Sequence, residues 1–166
     1  MKLEKRNIYG QTCAVFYIKA EDKQFYMSET LTVDNVDSHI VLVDRYRFES
    51  AWFKDGEHSK LSRGSINSWR NDPKFNSMEQ VFNGGVKNPV PLALMRASEK
   101  PQSVGLTDGV TRTIWLIANG AKYFPVKVYG AKAAYRLHQR IGVTSTRPIA
   151  KKELLSLLQN HSEIQL

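Results

Sequence analysis

Apolar residues recur along the chain in short runs, some alternating and some at helical spacing. Residues 12–19 are rich in β-branched and aromatic side chains, which predicts a strand, and residues 23–27 can pair with it. The apolar run at 39–43 predicts a buried strand. Residues 45–54 carry apolar side chains at a weak helical spacing, so we expect a short helix after that strand.

The middle of the chain is polar before it becomes apolar again. Residues 56–68 contain glycine and predict a loop, and the helix expected over 78–83 would be capped by Ser77. The Asn-Pro-Val-Pro sequence at 88–91 must be extended, because a residue that precedes proline avoids the helical region. It leads into a buried strand predicted at 92–95.

The last part of the chain has the clearest periodicity. Residues 123–129 alternate as a strand, and residues 131–141 and 150–160 have the spacing of amphipathic helices. Strands and helices do not recur as βαβ units. The pattern predicts an α+β fold with a small mixed sheet and short flanking helices. We expect a single domain over residues 1–166, with its C-terminal helices at about 131–160.

Composition excludes several classes of protein. Hydrophobic residues make up 42% and charged residues 24% of the chain, as in globular domains. The single cysteine, Cys13, excludes a disulfide framework and a cysteine-rich metal site. No apolar stretch approaches the roughly 20 residues that span a bilayer, and the first ten residues lack the apolar part of a signal peptide. We therefore expect a cytoplasmic protein without membrane insertion.

The net charge of +8 belongs to the second half of the chain. Residues 1–83 contain 12 basic and 12 acidic side chains, whereas residues 84–166 contain 12 basic and 4 acidic ones. On the helix predicted at 131–141, three cations recur every four residues and form a basic stripe: Lys132, Arg136 and Arg140. Such a segment attracts nucleic acid or nucleotide phosphate. A solvated basic face and an acidic protein partner are the alternatives.

A further helix has a distinctive start. It follows a loop predicted at 100–106, Thr107 or Asp108 can cap it, and Gly120 can end it. Its first residues are Asp-Gly-Val-Thr-Arg-Thr, at positions 108–113. Backbone N–H groups at a helix N-terminus have no partner within the helix, and the helix dipole adds positive potential there. This start is therefore a candidate phosphate-binding corner.

The side chains of residues 108–113 also suit phosphate binding. Gly109 lets an anion approach the backbone, Thr111 and Thr113 supply hydroxyl donors, and Arg112 offers a planar guanidinium that fits phosphate oxygens. Asp108 is an isolated acid in a basic region, and it could hold Mg²⁺ against a phosphate or position a water. The alternative is structural: Asp108 as a helix cap and Arg112 as a solvated side chain.

The sequence DGVTRTIWLIANGAKYFPVKV resembles the motif helix and following strand of the ParB/sulfiredoxin superfamily. In that superfamily a glycine-x-x-arginine phosphate loop opens a helix, and a strand of the form x-P-V-x-V follows. The matching loop is 109–112 and the matching strand 124–128, and NPVPLALM is similar to the proline-led strand before the loop. The segments HIVLVDRYRFESAWFKD, SINSWRNDPKF and DGVTRT are most similar to the plasmid fertility inhibition factors. The resemblance covers about residues 39–129.

This resemblance implies a bacterial, plasmid-encoded factor that blocks conjugative or T-DNA transfer by a type IV secretion system. It further implies an ATPase and DNase that acts on the transferred DNA. Mg²⁺ is expected as a cofactor beside ATP, because Asp108 could hold it against a bound phosphate. The phosphates would be held by the loop residues Gly109, Val110, Thr111, Arg112 and Thr113, with Asp108 as a catalytic residue and metal ligand. Arg112 would be the main neutralising and catalytic cation. Val110 stands where sulfiredoxins have their catalytic cysteine, so peroxiredoxin repair is not expected. Too few residues follow the strand for the DNA reader and dimerisation domain of ParB proteins.

Other residues are assigned to DNA or to the core. The basic stripe would follow a DNA backbone with little sequence preference. Trp69 and Arg70 could stack on a base, although tryptophan more often packs in a core, where we place Trp52 and Trp115. Glu79 lies in a region that contacts nucleotide in sulfiredoxins, and it is a candidate second catalytic carboxylate. The alternative function is a non-catalytic module that binds nucleotide and DNA, or a secretion or relaxase complex, and inhibits by occupancy.

Overall fold

The described part of the chain forms two five-stranded sheets with short helices around them. The computed structural model describes residues 1–32, 36–54, 58–97 and 103–166. Its strands are β1 (Lys2–Ile8), β2 (Gln11–Ala20), β3 (Lys23–Thr30), β4 (Ser38–Asp44), β5 (Val90–Pro91), β6 (Ala93–Ala97), β7 (Val104–Asp108), β8 (Tyr123–Tyr129), β9 (Ile149–Ala150) and β10 (Glu163–Gln165). Its helices are α1 (Arg45–Trp52), α2 (Ser59–Ser62), α3 (Ile66–Trp69), α4 (Pro73–Phe82), α5 (Val110–Ala118), α6 (Ala131–Ile141) and α7 (Lys151–Asn160), with a 3-10 turn at Gly85–Lys87.

Both sheets are mixed. The first has the strand order β10-β1-β2-β3-β5, antiparallel except where β5 joins β3 in parallel. The second has the order β7-β6-β8-β4-β9, with β6 parallel to β8 and the other pairs antiparallel. The α+β class with mixed strand directions is confirmed. The strands lie in two sheets rather than the one small sheet that we expected.

A single hydrophobic cluster includes residues of both sheets and of the helices. Helix α5 contributes a continuous run of buried side chains, from position 113 to position 117. Trp115 of this helix stacks on Phe82 with ring centroids 4.4 Å apart, and its ring meets Phe25 edge-on at 4.8 Å. Trp52 stacks on Phe48 at 5.2 Å. Trp52 and Trp115 are therefore core residues, as predicted, and α5 is anchored by packing along its length.

A partly buried ion pair joins the two sheets. Lys127 of β8 lies 3.1 Å from a carboxylate oxygen of Glu29 in β3, and the Glu29 side chain is only 9% exposed. Tertiary packing thus places a charged pair between the two sheets. None of the described helices is long and apolar enough to span a membrane.

Most strongly periodic segments form the expected elements. Strands β2, β3, β4 and β8 and helices α1, α6 and α7 contain the residues predicted for them, with ends that shift by a few positions. Gly120 follows the end of α5 with φ +90°, as a helix-ending glycine should. The strand predicted at 92–95 begins one residue later, in β6.

The predictions for the polar segments were wrong. The described part of the segment 56–68 contains α2 and the start of α3 rather than only loop. Helix α4 starts at Pro73, five residues earlier than expected, because Asp72 and not Ser77 is its cap. Residues 104–106 of the expected loop belong to β7, while 100–102 lie outside the described residues. Strands β1 and β10 were missed, because only one side chain of β1 and none of β10 is buried, and neither strand has a clear apolar alternation.

Candidate phosphate-binding cleft

The loop between β7 and α5 opens onto a cleft of about 680 Å³. The walls come from that loop, from the start of α4 and from the region of α2, and they comprise His58, Leu61, Asp72, Pro73, Lys74, Met78, Thr107, Asp108, Gly109, Val110, Thr111 and Arg112. The structure thus brings residues 108–112 of the predicted phosphate loop together in one concave site. Three of its charged or titratable lining residues, His58, Asp72 and Lys74, were not singled out from the sequence.

The start of α5 is open toward this cleft. Gly109 is its N-cap with φ +85°, and among the described residues no side chain caps the helix. The expected caps, Thr107 and Asp108, are therefore wrong. A Cβ atom at position 109 would lie 2.7 Å from the Cβ of Ala93, so glycine is required both by φ and by space. The first amide N–H groups of α5 are consequently left for an external acceptor.

Helix α4 also points its N-terminus into the cleft, but its first amides are already satisfied. One carboxylate oxygen of Asp72 accepts hydrogen bonds from the backbone N–H groups of Lys74 at 2.7 Å and Phe75 at 3.3 Å. Asp72 with Pro73 at the first helical position is a common way to begin a helix. This Asp-Pro pair is the sequence signal by which the α4 wall of the cleft could have been found.

Arg112 is held by both the loop and the preceding strands. Its guanidinium donates to the carboxylate of Asp108 at 3.0 Å and to the backbone carbonyls of Pro91 at 2.8 Å and Leu92 at 3.3 Å. The Arg112 side chain is 19% exposed, whereas that of Asp108 is 66% exposed. Arg112 therefore supplies positive charge from a fixed position, and Asp108 is the more accessible partner of the pair.

The two threonines of the loop differ in how exposed their side chains are. Thr111 is half-buried and lines the cleft, as does Val110. Thr113 is 1% exposed, and its hydroxyl donates to the carbonyl of Gly109 at 2.9 Å. The expectation that Thr113 binds phosphate is therefore corrected, because its hydroxyl is buried inside the first turn of α5.

Glu79, Arg70 and Trp69 do not join the loop. Glu79 and Arg70 are exposed and line a different cleft of about 430 Å³, beside Trp115. Trp69 is 3% exposed, and its indole N–H donates to the carbonyl of Leu61 at 2.8 Å. The structure corrects the expectation that Trp69 stacks on a base, since its ring lies in the core. Glu79 as a partner of Asp108 is likewise not supported by its position.

The basic stripe is only partly accessible. Lys132 and Arg136 are exposed on α6, whereas Arg140 is half-buried and donates to the carbonyl of Ser103 at 2.8 Å. Arg140 also lines a cleft between α1 and α6, in which Arg47 donates to the Gln139 and Gly142 carbonyls at the end of α6. Lys132 and Arg136 can therefore contact a polyanion, whereas the guanidinium of Arg140 is already engaged by a backbone carbonyl.

Cys13 does not line the phosphate-binding cleft. It is buried in β2, with its Sγ atom 3.9 Å from the hydroxyl of Thr30. Burial raises the pKa of the Cys13 thiol, which disfavours the reactive thiolate. The Cys13 thiol is therefore a buried side chain of the first sheet.

The donors of the cleft fit a nucleotide phosphate with Mg²⁺ better than they fit a metal alone. Two carboxylates, those of Asp72 and Asp108, line the cleft, but the described residues hold no group of three or more histidine, cysteine, aspartate or glutamate side chains around one point. Mg²⁺ usually keeps several waters and is shared between one or two carboxylates and substrate phosphates. The exposed carboxylate of Asp108, beside the open start of α5, is the one that suits this arrangement.

Comparison with known proteins agrees with the sequence resemblance. The family model of the plasmid fertility inhibition factors matches residues 40–142. Protein Osa of Shigella flexneri is 30% identical over 114 residues, 68% of this chain, and the match spans only 60% of that protein's length. The crystal structure of Oncogenic Suppression Activity Protein, a plasmid fertility inhibition factor, as its gold(I) cyanide derivative, matches with a TM-score of 0.78 and 26% identity. That match covers 90% of this chain and 79% of the other. The matches do not test the wider ParB/sulfiredoxin assignment, which stays a prediction. The chain belongs to the plasmid fertility inhibition factors.

Proposed function

We propose that this protein hydrolyses ATP and cleaves DNA, and that it thereby blocks the transfer of DNA through a type IV secretion system. The observation that carries the proposal is the uncapped start of α5, which faces a cleft containing Asp108 and Arg112. Both reactions break a bond to phosphorus, and they need stabilisation of charge and a positioned water more than covalent chemistry from the protein. One cationic corner can therefore serve both substrates.

Each part of the cleft has a distinct role in this proposal. The amide N–H groups of Val110 and Thr111 would bind the phosphate oxygens, and Arg112 would neutralise charge from its fixed position. Asp108 would hold Mg²⁺, which supplies Lewis-acid stabilisation of the phosphate when bound. Lys74, in the first turn of α4, brings a second cation to the cleft. Thr113 serves only to hold the first turn of α5.

DNA would approach along α6. Lys132 and Arg136 present two exposed charges that contact phosphates without reading bases. This fits cleavage with weak sequence preference. Partners of the secretion or relaxase complex are a further part of the proposal that rests on family membership alone.

The test combines purified protein with ATP, plasmid DNA and Mg²⁺, and compares wild type with Asp108→Asn. We expect wild type to release phosphate and cut DNA, addition of EDTA to abolish both, and Asp108→Asn to reduce both by roughly 10-fold or more. Glu79→Gln is the control, because Glu79 is also an exposed carboxylate but lines another cleft, so this variant should keep full activity. Equal activity of Asp108→Asn and wild type would contradict the site, and an inactive wild type would contradict the enzyme.

A non-catalytic role is the second candidate. The observation that favours it is the ion pair of Asp108 with Arg112, which already engages the most accessible carboxylate of the cleft. In this case ATP and DNA would bind without turnover, and inhibition of transfer would come from occupancy. Binding of a labelled ATP analogue by a protein that releases no phosphate would identify this function.

A further inference from the structure

We propose that His58 is the general base for ATP hydrolysis in the cleft, taking a proton from the water that attacks the terminal phosphate. This inference rests on the proposed function and goes beyond it, because that proposal assigns no general base. Three observations support this role: the tautomer of the ring, the hydrogen bond of the ring to strand β7, and the contacts that already engage the other charged groups in the cleft.

The contacts of the ring define which nitrogen carries a proton. Nε2 of His58 lies 3.3 Å from the carbonyl oxygen of Leu106. A carbonyl oxygen only accepts hydrogen bonds, so Nε2 must carry the hydrogen. In the neutral ring this leaves Nδ1 with its lone pair, which is the form that a general base needs.

The same contact positions the ring relative to the phosphate loop. Leu106 belongs to β7 and precedes Asp108 by two residues, so the ring is tied to the strand that carries the loop. On its other side, the carbonyl of His58 accepts from the N–H groups of Leu61 and Ser62 at 2.9 and 2.8 Å. The Leu61 carbonyl is in turn held by the buried Trp69. His58 is therefore fixed between two anchored backbone segments while its side chain lines the cleft.

The other charged groups of the cleft are poor candidates for the base. Asp72 accepts two amide hydrogen bonds as the cap of α4, and Asp108 is paired with Arg112 and is the candidate Mg²⁺ ligand. Lys74 and Arg112 are cations that have no lone pair to offer. Among the described residues lining the cleft, Nδ1 of His58 is the side-chain lone pair that can take the proton without giving up such a partner.

The step balances without any further reactant. The water oxygen forms a bond to the terminal phosphorus as the bond between that phosphorus and the bridging oxygen breaks. The water proton moves to Nδ1 of His58, and ADP leaves as an anion that carries the bonding electron pair. The imidazolium then returns the proton to solvent, which restores the neutral ring for the next cycle.

The experiment measures ATP hydrolysis by wild type, His58→Gln and His58→Ala. Glutamine can still donate to Leu106 but is not a base, so we expect kcat to fall by roughly 100-fold while KM for ATP changes by less than about threefold. Added imidazole should restore part of the activity of His58→Ala but not change that of wild type. His161→Gln is the matched control, because His161 lines a different cleft.

The outcomes separate this inference from the function on which it rests. If wild type hydrolyses ATP and His58→Gln keeps its kcat, the base assignment is overturned and the enzyme stands. A His58→Ala variant that is folded but not rescued by imidazole, with KM raised in proportion, would mean a binding role and would also overturn it. A wild type that hydrolyses no ATP overturns the proposed function and this inference with it.

Discussion

Gly109 holds a backbone conformation that other residues rarely adopt, and it does so in contact with another strand. Its φ is +85°, and an added Cβ would lie 2.7 Å from the side chain of Ala93. Gly10 provides a matched comparison, because its φ is +82° but nothing lies within 4 Å of the place where a Cβ would be. The two positions therefore separate the effect of φ from the effect of space.

We expect Gly109→Ala to lower the free energy of unfolding by about 2–4 kcal/mol, since it adds both left-handed strain and a clash. Gly10→Ala should cost about 1 kcal/mol from strain alone. Urea unfolding of both variants measures the difference. Equal losses would contradict the close approach of the loop to β6, and with it the shape of the cleft floor.

The sequence could predict which residues of the site lie together only where those residues are close to each other along the chain. Gly109 and Arg112 lie in one short segment, so their proximity follows from the chain itself. Their partners do not: the Pro91 carbonyl is 21 residues away from Arg112, and His58 reaches Leu106 across 48 residues. No periodicity in one sequence indicates such contacts, because they depend on how separate elements pack.

The elements α2 and α3 show how a buried tryptophan organises a polar segment. Each of these helices has only four residues, too short to be stable alone or to give a clear apolar pattern. Trp69 connects them, because its buried indole N–H donates to the Leu61 carbonyl. The loop that the sequence predicted here is a pair of helical turns stabilised by tertiary packing.

Trp69→Phe removes this hydrogen bond and leaves the Leu61 carbonyl without its indole donor. Trp52→Phe is the matched control, because Trp52 is also buried but its indole N–H has no partner among the described residues. We expect Trp69→Phe to cost about 1–2 kcal/mol more than Trp52→Phe in thermal or urea unfolding. Faster amide exchange confined to residues 58–69 would be the second sign. Equal losses would contradict the hydrogen bond.

The packing of the two sheets depends partly on a charged pair. Glu29 is nearly buried, so removing its partner leaves a carboxylate that is poorly solvated and unpaired. We expect Lys127→Met to lower the free energy of unfolding by about 1–3 kcal/mol, and the double variant Glu29→Gln/Lys127→Met to recover most of that loss. Arg147→Met, which breaks an exposed pair with Glu153, should cost only about 0.2–1 kcal/mol. Additive losses in the double variant would contradict the coupling between the sheets.

The structure shows which of the cations behind the net positive charge are exposed and could contact DNA. Arg140 is engaged by the Ser103 carbonyl, so Lys132 and Arg136 are the exposed members of the basic stripe. If both contact phosphates, Lys132→Gln/Arg136→Gln should make the slope of log binding constant against log salt shallower by about 1.4–1.8. Lys5→Gln/Lys19→Gln removes the same charge from exposed positions on β1 and β2, and it should leave the slope almost unchanged. Fluorescence anisotropy with a labelled oligonucleotide measures both. Equal changes in the two variants would mean that net charge, rather than the face of α6, attracts DNA.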